Sequence, residues 1–214
     1  MKLKLFLLIS SFYAASATHA DDFYLLGAVG QSHFADGKSA ANHALTNTAN
    51  LTEDGTAGSS SGFENNGVGY KMQLGYQFNQ NFAIEGGYVD LGQQDYRVNF
   101  ASGDGNARVR DRGLNIDALG ILPVSGPFSV FGKLGAIEAK TTYRVNGADA
   151  GGDISDGHEK YKVSPNFGVG GMYSFNDTAA VRLELERFAD LGKNDTTGEQ
   201  NVDLVSLGVS YRFN

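Results

Sequence analysis

The chain has 214 residues with 17 basic and 24 acidic side chains, no Cys and only three Pro, for a formal net charge of −7. That balance argues against nucleic acid as a partner, and the missing thiols exclude disulfides, zinc–thiolate centres and cysteine nucleophiles. The 29 glycines exceed the usual share but recur inside patterned segments instead of clustering as a linker.

Residues 1–20 read as a secretory signal peptide. Lys2 and Lys4 precede an apolar run that continues through Ile9, Phe12 and Tyr13, and small residues follow up to Ala20. Cleavage after Ala20 leaves residues 21–214 as a single domain, and cleavage after Ala17 is the second site with small residues at both required places. No later stretch approaches the roughly 20 apolar residues of a membrane helix. Any membrane crossing therefore has to use strands.

Residues 22–34 predict a first strand with two fairly apolar faces, so its orientation stays open. Residues 35–66 are rich in Ala, Asn, Thr, Ser and Gly, and their length is unusual for a connection inside a compact soluble domain. They predict a long surface loop. In residues 68–78, Val68, Tyr70, Met72, Leu74, Tyr76 and Phe78 alternate strictly with Gly69, Lys71, Gln73, Gly75 and Gln77, the period-two pattern of a strand with one apolar face. A helix would have to carry Gly69 and Gly75 in its interior at about 1 kcal/mol each. After Asn79-Gln80-Asn81 the alternation resumes, with Phe82, Ile84, Gly86 and Tyr88 against Ala83, Glu85 and Gly87. Two strands joined this tightly form an antiparallel hairpin.

Residues 93–112 read as a second polar loop, part of which extends the flanking strands. Residues 113–122 alternate Leu114, Ile116, Ala118, Gly120 and Leu122 with Asn115, Asp117, Leu119 and Ile121; a turn over 123–127 follows. Residues 128–142 set Phe128, Val130, Gly132, Leu134 and Ala136 against Ser129, Phe131, Lys133, Gly135 and Ile137. A third loop over 143–160 leads to a strand over 161–175, which Asn176-Asp177 turns around. In residues 178–191, Val181, Leu183 and Leu185 oppose Arg182, Glu184 and Glu186; a fourth loop over 191–200 precedes the last strand, 201–213.

Eight strands thus alternate with three short turns and four long polar loops, and the long loops all fall at one end. A soluble barrel has no reason for that polarity, whereas outer-membrane barrels have short periplasmic turns and long extracellular loops. The expected fold is all-β, an eight-stranded antiparallel transmembrane β-barrel in the cell outer membrane. Phe78, Phe82, Phe128, Tyr173, Phe175, Tyr211 and Phe213 lie at strand ends, where an interfacial aromatic girdle belongs.

The interior of an eight-stranded barrel is just wide enough for side chains to fill. The inward charges predicted by alternation are Lys71, Glu85, Asp117, Lys133, Arg182, Glu184, Glu186 and Arg212, four of each sign. They are expected to form a lumen charge network, since Glu85, Lys133, Arg182 and Glu184 lie at similar depth. His33, His43 and His158 share no spacing that would make a metal site, and no cofactor is expected. Ser32-His33 and residues 158–164 supply hydrolase residue types without a compact motif. A lipid A-modifying enzyme is therefore the weaker rival.

The stretches V-S-L-G-V-S-Y-R-F (205–213), G-Y-Q-F-N-Q-N-F-A-I-E-G-G-Y (75–88), F-G-K-L-G (131–135) and V-R-L-E (181–184) together resemble the transmembrane domain of the outer membrane protein A family. The resemblance covers nearly all of the mature chain. It implies that both chain ends lie in the periplasm, and that the terminal strand carrying Val209, Tyr211 and Phe213 is the signal read by the outer-membrane assembly machinery; here Asn214 follows the usual terminal aromatic. It also implies that Glu85 and Glu184 belong to a central charge cluster that obstructs the barrel, with Lys133 in place of a Lys the family carries on its fourth strand. Long family members continue into a peptidoglycan-binding domain, and this chain stops at the barrel, so cell-wall anchoring is not carried over. The expected partners are outer-membrane lipid and lipopolysaccharide, the assembly machinery, and a host or cell-surface ligand held by the loops. The expected protein is a monomer with a structural role; a narrow ion-conducting channel is the alternative.

Overall fold

A computed structural model describes residues 23–35, 60–63, 66–100, 103–149, 152–193 and 198–213. The signal peptide and most of the loop expected over 35–66 lie outside the described residues. Nine strands follow in order: β1 (Phe23–Phe34), β2 (Ser60–Phe63), β3 (Asn66–Asn79), β4 (Phe82–Phe100), β5 (Gly103–Ser125), β6 (Phe128–Asp149), β7 (Gly152–Ser174), β8 (Ala179–Lys193) and β9 (Gly198–Arg212). Each barrel strand pairs antiparallel with its chain neighbour, and β1 pairs with both β3 and β9. The sheet therefore closes as an eight-stranded antiparallel barrel. Short β2 stands apart and adds to the upper part of β4.

Closure leaves no open edge, so every wall strand finds its backbone partners inside the protein, as a bilayer requires. The outward apolar run on β5, from Leu114 to Val124, matches the roughly 9–11 residues a tilted strand needs to cross. Leu74, Leu134, Val169, Leu183 and Leu207 are all more than half exposed, which places an apolar belt against lipid. At its lower rim Phe23, Tyr76 and Phe78 touch in sequence, as do Phe128, Tyr173 and Phe175. The three tight turns fall at this end. Asn79 and Asn176 each close one by accepting two backbone N–H groups on a side-chain oxygen, at 2.8–3.0 Å.

The open question of β1 is settled by its neighbours. Tyr24, Leu26, Ser32 and Phe34 are buried in the lumen, while Phe23, Val29 and His33 face out. Three expected loops need correction. Residues 93–112 and 143–160 are mostly strand, with unbroken pairing from Gly105↔Gly147 to Pro123↔Ser129 between β5 and β6. Likewise β8 and β9 continue to Lys193↔Gly198 across the expected fourth loop. Above the lipid the outward face is polar as well, and the bulges after Asp90 and Phe188 shift the phase, so the contrast on which alternation depends fades although the ladder continues. Pro123 also belongs to β5; the turn itself is Gly126-Pro127, with Gly126 at φ +53°.

Leu183 points to lipid near the middle of the belt, so Leu183→Arg is expected to cost about 2–4 kcal/mol. Gln73→Arg should cost less, because Gln73 faces carboxylates in the lumen. A urea titration of the folded barrel in micelles checks this, and equal losses would mean the faces are reversed.

Candidate functional site in the barrel lumen

Inward alternation on six neighbouring strands delivers polar side chains to one level: Lys71 and Gln73 from β3, Glu85 from β4, Asn115 and Asp117 from β5, Lys133 from β6, Asn166 from β7, and Arg182, Glu184 and Glu186 from β8. Glycines make the room. A Cβ at Gly135 would collide with the Asp117 carboxylate, and one at Gly75 would enter the Tyr24 ring.

The Lys133 ammonium sits 3.0 Å from Glu186, 3.3 Å from Asp117 and 3.5 Å from Glu184. Lys71 contacts Glu184 and lies 2.9 Å from Glu186. Arg182 contacts Glu85, approaches Glu184 at 2.5 Å and covers the Phe131 ring at 4.4 Å. Neutral donors complete the shell: the Tyr24 hydroxyl donates to Glu85 at 2.6 Å, and the Asn166 amide donates to Asp117 at 2.6 Å and to Glu186 at 3.0 Å. Seven of the eight inward charges expected from alternation thus meet at one level. Arg212 does not join them; its guanidinium donates to Gln77 at 2.5 Å, nearer the lower mouth. Without it the cluster holds three cations against four carboxylates, not an equal number.

An apolar layer lies on either side. Below the cluster, Tyr24, Ala83, Leu119, Ile121 and Phe131 pack with Met172. A vestibule of about 150 Å³ passes among them, from Gln77 and Arg212 near the turns up to Arg182 of the cluster. Above the cluster, Phe34, Val89, Leu91, Ile137, Ala139, Phe188, Leu191, Val202 and Leu204 form a second buried layer.

A repeated tripeptide builds part of that upper lid, and alternation does not reveal it. Asp90-Leu91-Gly92 on β4 and Asp190-Leu191-Gly192 on β8 each fall at a bulge, where the pairing register shifts. In both, the glycine takes φ +82°, a conformation open to Gly at little cost, and the leucine before it is fully buried. On β8 the bulge adds one residue and so turns Leu191 inward, whereas Leu91 keeps the inward phase of Val89. Because β4 and β8 are third and seventh of the eight wall strands, the two leucines enter from opposite sides. The D-L-G repeat was readable as an internal echo; Leu91 continues the alternation of Ala83, Glu85 and Val89, whereas the inward Leu191 was hidden because the bulge before it breaks the period.

Asp111 is also absent from the expected set. It is buried among the upper layers, accepting from Thr141 Oγ1 at 2.5 Å and Gln200 Nε2 at 2.7 Å. Burial pushes its carboxyl up to about 6, against the lowering effect of those two hydrogen bonds, and the Asp90 carboxylate adds to the rise.

Ser32 and His33 do not converge: Ser32 faces the lumen while His33, on the outer face, contacts the Asn66 side chain at 3.1 Å. His43 and the side chain of His158 lie outside the described residues. Among the described residues no group of acidic or histidine side chains is arranged to hold a metal ion.

A closed antiparallel barrel with a lipid-facing belt, an aromatic rim and a charged interior defines an integral outer-membrane β-barrel protein. The model of the OmpA-like transmembrane domain matches residues 18–214, and the chain belongs to that family. It is 32% identical over 160 residues to outer membrane protein A of Yersinia pseudotuberculosis, covering 70% of this chain and 42% of the relative. It is 32% identical over 159 residues to that of Shigella flexneri, covering 70% and 43%. The chain thus spans less than half the length of these relatives. Among solved structures, Neisserial surface protein A aligns with a TM-score of 0.49 and 16% identity, covering 89% of this chain and 97% of the other. The protein resides in the outer membrane.

Proposed function

We propose that this protein is a structural barrel with a closed lumen, whose long outer hairpins supply the surface for contacts outside the cell. The observation that carries the closed reading is the interior stacking: an ionic layer lies between two buried apolar layers. An ion entering by the lower vestibule would have to displace a partner at the ionic layer and shed water at the apolar layer above it. That favours the structural reading over the narrow channel. The charge network of Lys71, Glu85, Asp117, Lys133, Arg182, Glu184 and Glu186 acts here as internal cross-bracing between strands.

The contact reading rests on length. From Glu138, its first outward polar residue above the belt, β6 continues to Asp149, roughly 35–40 Å along the strand at about 3.3 Å per residue. Function concentrates on projecting segments held by a rigid scaffold. The outward terminal residues Val209, Tyr211 and Phe213 are the segment proposed for the assembly machinery, a role read out by the fraction of a Phe213→Ala barrel that reaches the membrane.

Planar-bilayer recording tests the closed lumen. The wild-type protein is expected to give at most rare, small current steps. A wide and steady conductance would overturn the structural reading in favour of the channel.

A further inference from the structure

Above the lipid-facing belt the barrel rim is not electrostatically uniform. On β5 the outward residues directly above Leu114 are Arg112, Arg110 and Arg108. On β6 the outward Lys140 and Arg144 stand opposite Arg112 and Arg108 in the ladder. Like charges directly across an antiparallel pair are destabilising, yet two such pairs occur within five residues of one hairpin.

The chain's own acids answer part of this charge. Asp90 takes Arg110, with contacts of 2.5 and 3.1 Å. Asp95 takes Arg108 at 2.7 Å, and Glu159 takes Lys140 at 2.7 Å. The ammonium of Lys140, with Arg112 and Arg144 adding to it, holds the Glu159 carboxyl below its usual range. Glu138 is exposed one step nearer the lipid. Arg112 and Arg144 themselves have no hydrogen bond or ion pair among the described residues. The β8–β9 rim differs: there the outward Arg187 is matched by Asp203 through two hydrogen bonds of 2.6 and 2.7 Å.

Under the surplus cations lies a bare apolar wall. Leu114, Ile116, Leu134, Tyr161 and Val163 are each more than half exposed, and Lys140 lies 5.7 Å from the centre of the Tyr161 ring. A soluble anion would satisfy only the upper half of this arrangement. An amphiphile with phosphate above acyl chains satisfies both halves, because its chains cover the wall while its phosphates reach the guanidinium groups. Arg is suited to this through its planar, bidentate pairing with phosphate.

We infer that the outer face of the β5–β6 hairpin, centred on Arg112, Lys140 and Arg144, is a docking site for the phosphorylated headgroup of an outer-leaflet glycolipid. The site rests on the proposed orientation, with these hairpins outside the cell. That orientation is read separately: the chain has no Cys, so a Gly126→Cys variant should resist a membrane-impermeant thiol reagent on intact cells.

The test uses the folded protein in micelles with a chelator present, titrated with purified diphosphoryl lipid A, the same lipid dephosphorylated, or inorganic phosphate. The wild type is expected to bind the phosphorylated lipid at least tenfold more tightly than the dephosphorylated one, with affinity falling as salt rises. The R112Q/R144Q double variant should lose at least fivefold, while R187Q keeps wild-type affinity. E159Q, which frees Lys140 from its own carboxylate partner, should gain severalfold; a merely structural role for these residues would not produce a gain. Equal affinity for the two lipids, or an unchanged double variant that still shows its folded-barrel mobility, would overturn the site. Competition by millimolar inorganic phosphate without any need for acyl chains would assign the cations to a soluble anion and overturn the lipid commitment. Should Gly126→Cys label from outside, the orientation is what fails, whatever the micelle titration gives.

Discussion

Glu184→Ala is expected to lower the unfolding free energy by about 3–5 kcal/mol, the usual cost of removing one partner from a buried ionic group, while leaving the lumen closed to ions. Glu184 is the carboxylate shared by all three cations, since it meets Lys71, Lys133 and Arg182. Its removal leaves Lys71 with Glu186, Lys133 with Glu186 and Asp117, and Arg182 with Glu85. The methyl side chain also leaves a gap between fully buried charges. If water filled that gap the stability cost would shrink, but a through-path from the lower vestibule, which already reaches Arg182, would still meet the apolar layer above. Current is therefore expected only when the upper lid is opened as well, in the triple variant that adds Leu91→Ala and Leu191→Ala. Urea titration in micelles reads the first half of this prediction and planar-bilayer recording the second. Steady current from Glu184→Ala alone would show that the ionic layer is the whole seal.

How much of this was legible without coordinates follows from where contrast exists. Within the belt, every strand has lipid on one side and a packed polar lumen on the other, so Leu183 and Glu184 declare opposite faces by chemistry alone. Strand β1 escapes because Leu25 and Leu26 look alike although one faces lipid and the other the lumen. Above the belt, Arg108 to Arg112 read as loop because Arg110, Asp111 and Arg112 put charge on consecutive residues. Their ladder with Lys140 to Arg144 is a long-range pairing with no local signature. Depth was legible only roughly. Glu85, Lys133, Arg182 and Glu184 lie at comparable distances from the tight turns, whereas Arg212, close to the chain end, sits too low to reach a carboxylate of the cluster and pairs with Gln77. The bulge at Asp190 shifts phase by one residue and carries Leu191 into the lid, whereas Leu91 reaches it in phase with Ala83, Glu85 and Val89.

Asp111 continues the inward phase of Asn115 and Asp117 on β5 into the stretch expected as a loop, and it ends as the only carboxylate at its level of the interior without a basic partner among the described residues. It lies on the outer side of the lipid-facing belt, level with Arg112 on β5, and burial raises its carboxyl to about 6 from an ordinary 3.8. Because the folded value is the higher one, the folded chain binds the proton more tightly than the unfolded chain does. The contribution of Asp111 to stability is then most favourable below pH 4, falls as pH rises from about 4 to 6, and carries the full cost above 6. At about 1.4 kcal/mol per pH unit, that cost is about 3 kcal/mol. Asp111→Asn should recover most of it at pH 7.5 and flatten the dependence between pH 4 and 6. The replacement keeps an acceptor for Thr141 Oγ1. Its new amide would face Gln200, whose Oε1 has no partner, so rotating the Gln200 amide by 180° presents that oxygen to the new donor. Folded-fraction titrations at pH 4.5 and 7.5 measure the difference. A variant no more stable than wild type at pH 7.5, with the same slope against pH, would mean that Asp111 is already compensated in the folded barrel.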